Sequence, residues 1–280
     1  MATKQTKTDN NLAFGLLLNK IRRERGLDCS QYKPSFLRRR LAVRLRARGV
    51  ESYQAYARLL DDDEYDHLFD TLTINLTSFF RDATTFVALR DEVLQPIVRE
   101  RNGQGRRHLQ VWSAGCASGE EAYSLAILLQ QLLGRQSVDW QIRILATDLD
   151  ERRLDQARAG VYGPFSFRGT QWPDLDRFFV ANGKSHSVVP AVKALVRFRR
   201  HDLIGEKPLG RFDLILCRNV LIYFTRPQQV RLCTAFHRAL KSNGVLVLGK
   251  TEILPSGVAG LFEAVNLREH IYRKSVISNQ

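Results

Sequence analysis

Leucines recur at every fourth position in an arginine-rich stretch near the N-terminus, PSFLRRRLAVRLRARG. Leu37, Leu41 and Leu45 would lie on one face of a helix, with arginines on the other faces and Gly49 as a stop. Two shorter helical patterns follow, SYQAYARLL with Ser52 as its cap and DDDEYDHLFDTLTIN with acids in its first turn. We therefore expect a small helical domain over residues 1–72.

The pattern changes after a polar break, RERNGQGRRH, which follows a further helix interrupted near Pro96. Four short apolar runs, β-branched in part, then end in polar residues: LQVWSAG, IRILATD, RFDLILCRN and GVLVLGKTE. Strong helical patterns, GEEAYSLAILLQQLLG and PQQVRLCTAFHRALKSNG, separate the first two runs and the last two. Strands that alternate with helices predict an α/β fold with a Rossmann-like, doubly wound sheet.

One region departs from this alternation. Residues 160–200 contain Gly, Pro and aromatic residues and two short β-like pieces, around 187–190 and 195–199. We predict that they form a small inserted β subdomain. The expected plan is thus a helical domain (1–72), a connection (73–83) and a sheet domain (84–280) that contains the insertion.

The positive charge is concentrated at the N-terminus. The net charge is +14, and the first 50 residues hold thirteen Lys and Arg against three acids. A charge segregated in this way indicates a basic surface, whose natural partners are nucleic acid, an anionic membrane or an acidic protein. The alternative is a solvated basic face that has no partner.

Composition narrows the class of protein. No apolar run approaches the about 18 residues of a membrane span, and the N-terminus lacks the apolar core of a signal peptide. We therefore expect a cytoplasmic protein without membrane insertion. The four cysteines are widely separated and the six histidines are scattered, so neither a disulfide nor a metal site is predicted.

The stretch VWSAGCASGEE predicts a strand, a glycine turn at Gly115 and a helix that starts with Glu120 and Glu121. It is neither a P-loop, because no GK[ST] follows, nor a GxGxxG dinucleotide motif. Two carboxylates at a helix start would repel a phosphate but suit a cation. S-adenosylmethionine, which carries an ammonium group and a sulfonium, is the common cofactor that fits this turn.

Two later strands also end in candidate binding residues. Asp148, in ATDLD, stands where Rossmann-type sheets place an acid that accepts hydrogen bonds from ribose hydroxyls. CRNVLIYF ends a buried strand with Arg218 and Asn219 and places Tyr223 four residues beyond Asn219.

Five segments together resemble the chemotaxis receptor methyltransferase (CheR) family in order and spacing: TINLTSFFRD, WSAGCASGEEAYSLA, ATDLDERRLDQARAGVY, FDLILCRNVLIYF and LKSNGVLVLGKTE. The resemblance covers about residues 20–274. It implies an N-terminal helical domain joined to an S-adenosylmethionine-dependent methyltransferase domain with an inserted β subdomain. The implied reaction is methyl esterification of glutamate side chains on the cytoplasmic helices of chemoreceptors, with S-adenosylhomocysteine as the product.

The resemblance also implies the site residues. Arg81 and Tyr223 would lie closest to the transferred methyl, Glu121 near the amino group of the cofactor and Asp148 at its ribose, with Glu120 as the neighbouring candidate for the amino group. The remaining cofactor-binding positions are Asn75, Thr77, Gly115, Asp202, Leu203, Asn219 and Val220, and Arg81 counts among them as well. At position 202 the family pattern has Asn instead of Asp.

The segment TINLTSFFRD would then connect the helical domain to the cofactor site. Its polar side chains would reach the ligand, while Phe79 and Phe80 would anchor the segment in the core. The alternative is a helix cap at Thr77 or Ser78, with Arg81 in a surface ion pair.

By the same resemblance, the basic helix, Arg38 to Arg48, would dock on an acidic region of the receptor coiled coil. The inserted subdomain binds a receptor tail peptide in some members of the family. We expect a monomer.

Three other functions compete with this one. A nucleic-acid methyltransferase would suit the charge, but Asn219 is followed by Val220 and Leu221 where base amino methyltransferases carry Pro-Pro and an aromatic residue. Leu216, and not Pro, precedes Cys217, which disfavours cytosine methylation. A methyltransferase with another protein substrate, or a non-catalytic signalling module that binds S-adenosylmethionine, stays open.

Overall fold

The computed structural model describes residues 2–72 and 77–275, and the side chains of the first helix from Asn10 onward. Contacts between Cα atoms divide the chain into two compact units. The helical unit comprises Met1–Ile74 and Tyr223–Gln228, and the sheet unit comprises Asn75–Ile222 and Gln229–Gln280. In the described part of the chain, no helix is both long enough and apolar enough to cross a membrane.

The helical unit contains α1 (Ala2–Arg25), α2 (Pro34–Ala47), α3 (Tyr53–Arg58) and α4 (Asp62–Leu72). Helix α2 buries Leu37, Leu41 and Leu45, which confirms the amphipathic pattern. Ser52 caps α3 by accepting a hydrogen bond from the Ala55 N–H at 3.1 Å. Helix α1 was not predicted, because the stretch TKQTKTDNN at its start carries no apolar periodicity.

The segment Tyr223–Gln228 belongs to the helical unit although it lies far along the chain. Tyr32 and Phe224 form an antiparallel bridge, and the Lys33 N–H donates to the Tyr223 carbonyl at 2.9 Å. The Tyr223 ring packs against Phe36 with 4.8 Å between ring centroids. Because these contacts join residues about 190 positions apart, no local sequence pattern signals them.

The sheet unit contains the remaining elements, in chain order α5 (Ala83–Ala88), a π-helical segment (Leu89–Leu94), α6 (Gln95–Gly103), β1 (His108–Ala114), α7 (Glu120–Leu133), β2 (Gln141–Asp148), α8 (Glu151–Ala159), β3 (Val161–Tyr162), β4 (Phe179–Asn182), β5 (Ser185–Val188), α9 (Pro190–Lys193), β6 (Val196–Arg200), β7 (Phe212–Cys217), β8 (Leu240–Leu248), β9 (Phe262–Asn266) and β10 (Ile271–Lys274). Helix α10 (Arg226–Ala239) belongs to the helical unit up to Gln228 and to the sheet unit from Gln229 onward. The predicted interruption near Pro96 is a change of helix type, since proline has no N–H for the regular helical bond.

Seven strands form the main sheet in the order β6-β2-β1-β7-β8-β10-β9. The first five are parallel, and β10 runs antiparallel to both β8 and β9. This arrangement confirms the predicted α/β class and the parallel strands. In such sheets, ligands bind beyond the carboxyl ends of the strands, so the loops after β1, β2 and β7 define the candidate site.

The inserted β structure is smaller than expected. Strands β3, β5 and β4 form a separate three-stranded antiparallel sheet. Residues 195–199, however, were assigned to the insertion, and this was wrong: β6 pairs in parallel with β2 at the edge of the main sheet. A short strand with alternating arginines fits an exposed edge of either sheet, so the sequence pattern did not distinguish them.

Phe79 and Phe80 anchor their segment in the core, as predicted, with 0% and 2% exposure. The Phe79 N–H donates to the Ser166 carbonyl at 2.8 Å, and the Phe80 ring stacks on Trp172 at 4.0 Å between centroids. Helix α5 begins at Ala83, so the alternative of a cap at Thr77 or Ser78 is wrong.

Candidate active site

Gly115 shapes the loop after β1. Its φ of +79° lies in the left-handed region, and a Cβ at this position would come within 2.5 Å of a Val220 methyl carbon. The N–H groups of Gly115 and Cys116 both donate to the Thr147 carbonyl, at 2.8 and 2.9 Å. Glycine is therefore required for the first loop to pass close to the loop after β7.

Glu120 and Glu121 begin helix α7 but have different partners. The Glu120 oxygens accept hydrogen bonds from Ser118 at 2.7 Å and Ser166 at 2.9 Å, and the residue is 2% exposed. Glu120 thus ties the first loop to residues near the insertion. Glu121 accepts one hydrogen bond from Ser113 at 2.7 Å, and its other oxygen lies 3.3 Å from a guanidinium nitrogen.

Asp148 links the first two loops of the site. One carboxylate oxygen accepts from the Ala117 N–H at 2.8 Å, and the other accepts from the Asp150 N–H at 3.0 Å. Burial raises the pKa of Asp148 despite these hydrogen bonds. The acid predicted for the ribose position is therefore held rigidly by the backbone.

The three carboxylates of Glu120, Glu121 and Asp148 are close enough together to act on one thiol. Burial raises the pKa of Cys116, and the negative charge of each carboxylate raises it further. Burial also raises the pKa of all three carboxyl groups. These loops therefore bring together carboxylates whose ionised forms are disfavoured, and a ligand with positive charge would stabilise the ionised forms.

The loop after β7 is fixed by a carboxylate that the sequence analysis did not single out. Glu252 is 3% exposed and accepts from the backbone N–H groups of Asn219 at 2.8 Å, Gly249 at 2.7 Å and Ile222 at 3.2 Å. Asn219 has φ +61°, a conformation that Asn tolerates better than most residues. Of the two residues predicted for the cofactor pocket, Val220 lies beside Gly115, and Asn219 lies beside Gly249.

Arg218 is the second residue to which the sequence analysis gave no specific role. Its guanidinium contacts Glu121 at 3.3 Å, Asp82 at 2.8 Å and the Arg81 carbonyl oxygen at 2.8 Å. Arg218 therefore brings the start of α7 next to the end of the TINLTSFFRD segment. The separations of 97, 136 and 137 residues explain why no local motif indicates this contact.

Arg81 and Thr77 were both predicted to reach the cofactor. The Arg81 side chain is exposed, while its carbonyl lies against Arg218. Thr77 is half-buried. Asn75, the third predicted residue of this segment, lies outside the described residues.

Asp202 and Leu203 follow β6. The His201 N–H donates to the Asp148 carbonyl at 2.9 Å, which brings this turn next to the end of β2. Asp202 accepts from the Ile204 N–H at 2.8 Å through one oxygen, so its carboxylate is used in part by its own turn. Leu203 is half-buried.

The predicted site residues of the sheet unit fit S-adenosylmethionine. Gly115 keeps the first loop free of a side chain where the chain segments approach, and the half-buried carboxylates of Glu121 and Asp148 suit a ligand that carries two positive groups. Glu121 and Asp148 would hold the ammonium group and the ribose. Tyr223 stands apart from this set, because its described contacts lie within the helical unit.

Comparison with known proteins agrees with this chemistry. Residues 75–271 match the family model described as "CheR methyltransferase, SAM binding domain", and residues 12–73 match "CheR methyltransferase, all-alpha domain".

Several curated relatives align over most of the chain. The chemotaxis protein methyltransferase of Listeria monocytogenes is 34% identical over 83% of this chain and 86% of its own length. That of Escherichia coli is 32% identical over 81% of this chain and 79% of its own length. An uncharacterised 104.1 kDa protein of Rhodobacter capsulatus is 34% identical over 86% of this chain, which spans 25% of that relative.

Among solved structures, an S-adenosylmethionine-dependent methyltransferase from Mesorhizobium loti matches with 21% identity and a TM-score of 0.29, over 50% of this chain and 46% of that one. This likeness is too low to carry an argument, so the assignment rests on the family models and the sequence relatives. On these grounds the chain belongs to the CheR methyltransferase family, and S-adenosylmethionine is its cofactor.

Proposed function

We propose that the protein transfers a methyl group from S-adenosylmethionine to glutamate side chains on the cytoplasmic helices of chemoreceptors, forming methyl esters. The names of the Listeria and E. coli relatives support a role in chemotaxis. The observation that carries the proposal is the group of three carboxylates, Glu120, Glu121 and Asp148, at the loops after β1 and β2, within the residues that match the SAM binding domain of the family.

A carboxylate acceptor suits this site because it needs no general base. A glutamate side chain has an ordinary pKa near 4.3 and is ionised at neutral pH. The carboxylates of Glu120, Glu121 and Asp148 are engaged by hydroxyl, backbone or guanidinium groups, so none of them has to accept a proton for the reaction. Catalysis then depends on orientation and on the exclusion of water.

When bound, the cofactor supplies a methyl group on a positively charged sulfur, and an oxygen nucleophile attacks this methyl group in line and displaces the sulfur. We assign Glu121 to the ammonium group and Asp148 to the ribose hydroxyls. Asp202 and Leu203 would lie beside the adenine, and Asn219 and Val220 would complete the pocket wall. The other predicted cofactor-binding positions are Asn75, Thr77 and Gly115.

Arg81 is proposed to orient the acceptor carboxylate, and Tyr223 to position it through its hydroxyl or to face positive charge with its ring. Too strong a salt bridge from Arg81 would stabilise the ground state and slow transfer. The exposed Arg81 side chain is compatible with a contact to an incoming substrate.

The arginines of α2 divide into two groups, which refines the proposed docking surface. Arg44 is turned to the interior, where it binds Glu64 through two nitrogens at 2.9 and 2.7 Å. Arg39 and Arg46 are exposed, one turn on either side of the exposed Val43. We propose that Arg39 and Arg46 contact the acidic receptor helices.

Labelled methyl transfer tests the reaction. The protein is incubated with methyl-labelled S-adenosylmethionine and a receptor cytoplasmic fragment, and the product is treated with alkali. Alkali-labile label on receptor glutamates supports the proposal. Base-stable label, or label that appears only in added RNA or DNA, contradicts it.

Two single variants test the roles proposed for Arg81 and Tyr223. Arg81→Ala and Tyr223→Phe should each lower transfer by about 100-fold or more while the affinity for S-adenosylhomocysteine changes less. Arg23→Ala, which alters an exposed arginine of α1, is the matched control. Wild-type turnover in both site variants would contradict the assignment.

The double variant Arg39→Ala/Arg46→Ala should lower the association rate with the receptor fragment by about tenfold at low salt and should flatten its salt dependence. Arg23→Ala again serves as control, and unchanged association kinetics in the double variant would remove α2 from the docking surface.

A further inference from the structure

We infer that Arg218 is a positioning residue, which holds the Glu121 carboxylate in place for the cofactor and links it to the segment that carries Arg81. This inference rests on the proposed assignment of Glu121 to the ammonium group.

Arg218 is a deeply buried charge. It follows the last residue of β7 directly, and its side chain is 2% exposed. A buried guanidinium costs free energy unless charged or polar partners surround it. Its surroundings therefore indicate which groups it serves.

Those partners come from two separate parts of the chain. One terminal nitrogen lies 3.3 Å from a Glu121 oxygen at the start of α7. The other donates to Asp82 and to the Arg81 carbonyl, both at 2.8 Å, at the end of the segment that leads into α5. The planar fork of arginine can bridge these groups, whereas a single lysine ammonium reaches them less well.

The geometry differs from that of an arginine that only neutralises a carboxylate. Arg44 binds Glu64 through two nitrogens at 2.9 and 2.7 Å. Arg218 makes one longer contact to Glu121, and among residues 10–72 and 77–275 no acceptor reaches its buried Nε. Arg218 thus orients Glu121 but leaves the negative charge of this carboxylate incompletely paired, so a cationic ligand can still bind to it.

The charges around Glu121 determine the consequence of losing Arg218. Burial and Glu252 raise the pKa of Glu121, and Arg218 and the Ser113 hydroxyl lower it. Glu120 and Asp148 bring further carboxylates to this region, and Asp82 shares the Arg218 guanidinium. The Cys116 and Cys217 thiols are neutral at ordinary pH because burial raises their pKa far above its usual range. Without the guanidinium, Glu121 would take up a proton at a higher pH and would lose its attraction for an ammonium group.

Calorimetric titration with S-adenosylhomocysteine between about pH 5.5 and 8 tests this inference. Because the pKa of Glu121 is already raised, the wild-type profile sets the reference, and loss of Arg218 should move the fall in affinity to higher pH. Arg218→Met should bind about tenfold more weakly at pH 8 and progressively more weakly toward pH 5.5. Glu121→Gln should bind weakly with a flat profile, and adding Arg218→Met to it should weaken binding little further.

Arg218→Lys and Asp82→Asn provide a second test in case Arg218→Met does not fold. The lysine keeps the charge, so it should restore the wild-type pH profile but lower kcat, since it cannot hold Glu121 and the Arg81 carbonyl together. Asp82→Asn should lower kcat and leave the affinity for S-adenosylhomocysteine near that of the wild type.

The possible failures are distinguishable. If Glu121→Gln binds as tightly as the wild type, the assignment of Glu121 in the proposed function is wrong. If Glu121→Gln binds weakly but the folded Arg218 variants keep the wild-type pH profile and the wild-type kcat, the positioning role of Arg218 alone is wrong.

Discussion

Glu64 in the helical unit and Glu121 in the sheet unit are both largely withdrawn from solvent and both contact an arginine, yet their pKa values move in opposite directions. Glu64 is 1% exposed and receives Arg44 through two nitrogens at 2.9 and 2.7 Å and the Tyr56 hydroxyl at 2.6 Å. Burial opposes its ionisation, but these hydrogen bonds outweigh burial and lower the pKa of Glu64.

Glu121 has one hydroxyl partner at 2.7 Å and one guanidinium nitrogen at 3.3 Å. Here burial prevails and the pKa of Glu121 is raised. The helical unit thus satisfies its buried carboxylate with its own residues, whereas the sheet unit leaves one that a cationic ligand would satisfy. A carboxylate whose pKa is raised at the loops beyond the strand ends is a candidate binding residue, and we therefore propose this role for Glu121 and not for Glu64.

The largest change in stability is expected when Glu64 is replaced. Glu64→Gln should destabilise the helical unit by about 3 kcal/mol at pH 7, because it leaves Arg44 without its charged partner. Since the pKa of Glu64 is lowered, its contribution is complete above the ordinary value of 4.5 and is lost as the pH falls through the lowered value. The difference between wild type and variant should therefore shrink below about pH 4.5.

Circular dichroism measures this transition, with Glu51→Gln, an exposed glutamate of the same unit, as control. All three tryptophans (Trp112, Trp140 and Trp172) lie in the sheet unit, so tryptophan fluorescence follows that unit separately. An unchanged helical transition in Glu64→Gln would show that the Arg44 pair contributes nothing.

Glu252 gives a second comparison with Glu121, because it lies in the same unit but has three backbone N–H groups as partners. In Glu252→Gln at least one of these N–H groups would face the amide nitrogen, so we expect a loss of about 2 kcal/mol. Tryptophan fluorescence during urea unfolding measures this loss, and the exposed Glu263→Gln is the matched control. Equal stability of the two variants would contradict the role given to Glu252.

The smallest effect is expected for the stability of Glu121→Gln. Because the pKa of Glu121 is raised, its ionised form costs the ligand-free protein free energy at neutral pH, and this cost disappears as the pH falls below the ordinary 4.5. The variant should be as stable as the wild type at pH 7, or more stable by up to about 1 kcal/mol. A loss similar to that of Glu64→Gln would mean that Glu121 is a structural residue.

Local periodicity accounts for what the sequence predicted correctly. The Leu37, Leu41 and Leu45 spacing identified α2, and apolar runs alternating with helices identified the parallel sheet. The 195–199 run was placed in the wrong sheet because its alternation defines a strand but not the strand it pairs with. Pairing partners are set by packing across the whole unit.

The same limit applies to the candidate site. Gly115, Glu121 and Asp148 lie at the ends of recognisable elements, so motif reasoning reached them. The roles of Arg218 and Glu252 depend on contacts with residues up to 137 positions away. The one sequence signal for Arg218 was its position next to the end of a buried strand, and this signal does not identify the residues that Arg218 contacts.

The most direct test is calorimetric titration of S-adenosylhomocysteine into the wild type, Glu121→Gln and Glu64→Gln at pH 7.5, with each protein shown to be folded. The account predicts one-to-one binding to the wild type, binding about tenfold or more weaker to Glu121→Gln, and wild-type affinity for Glu64→Gln. Equal affinity of the wild type and Glu121→Gln would contradict the claim that the incompletely paired carboxylate is the one that receives the cofactor.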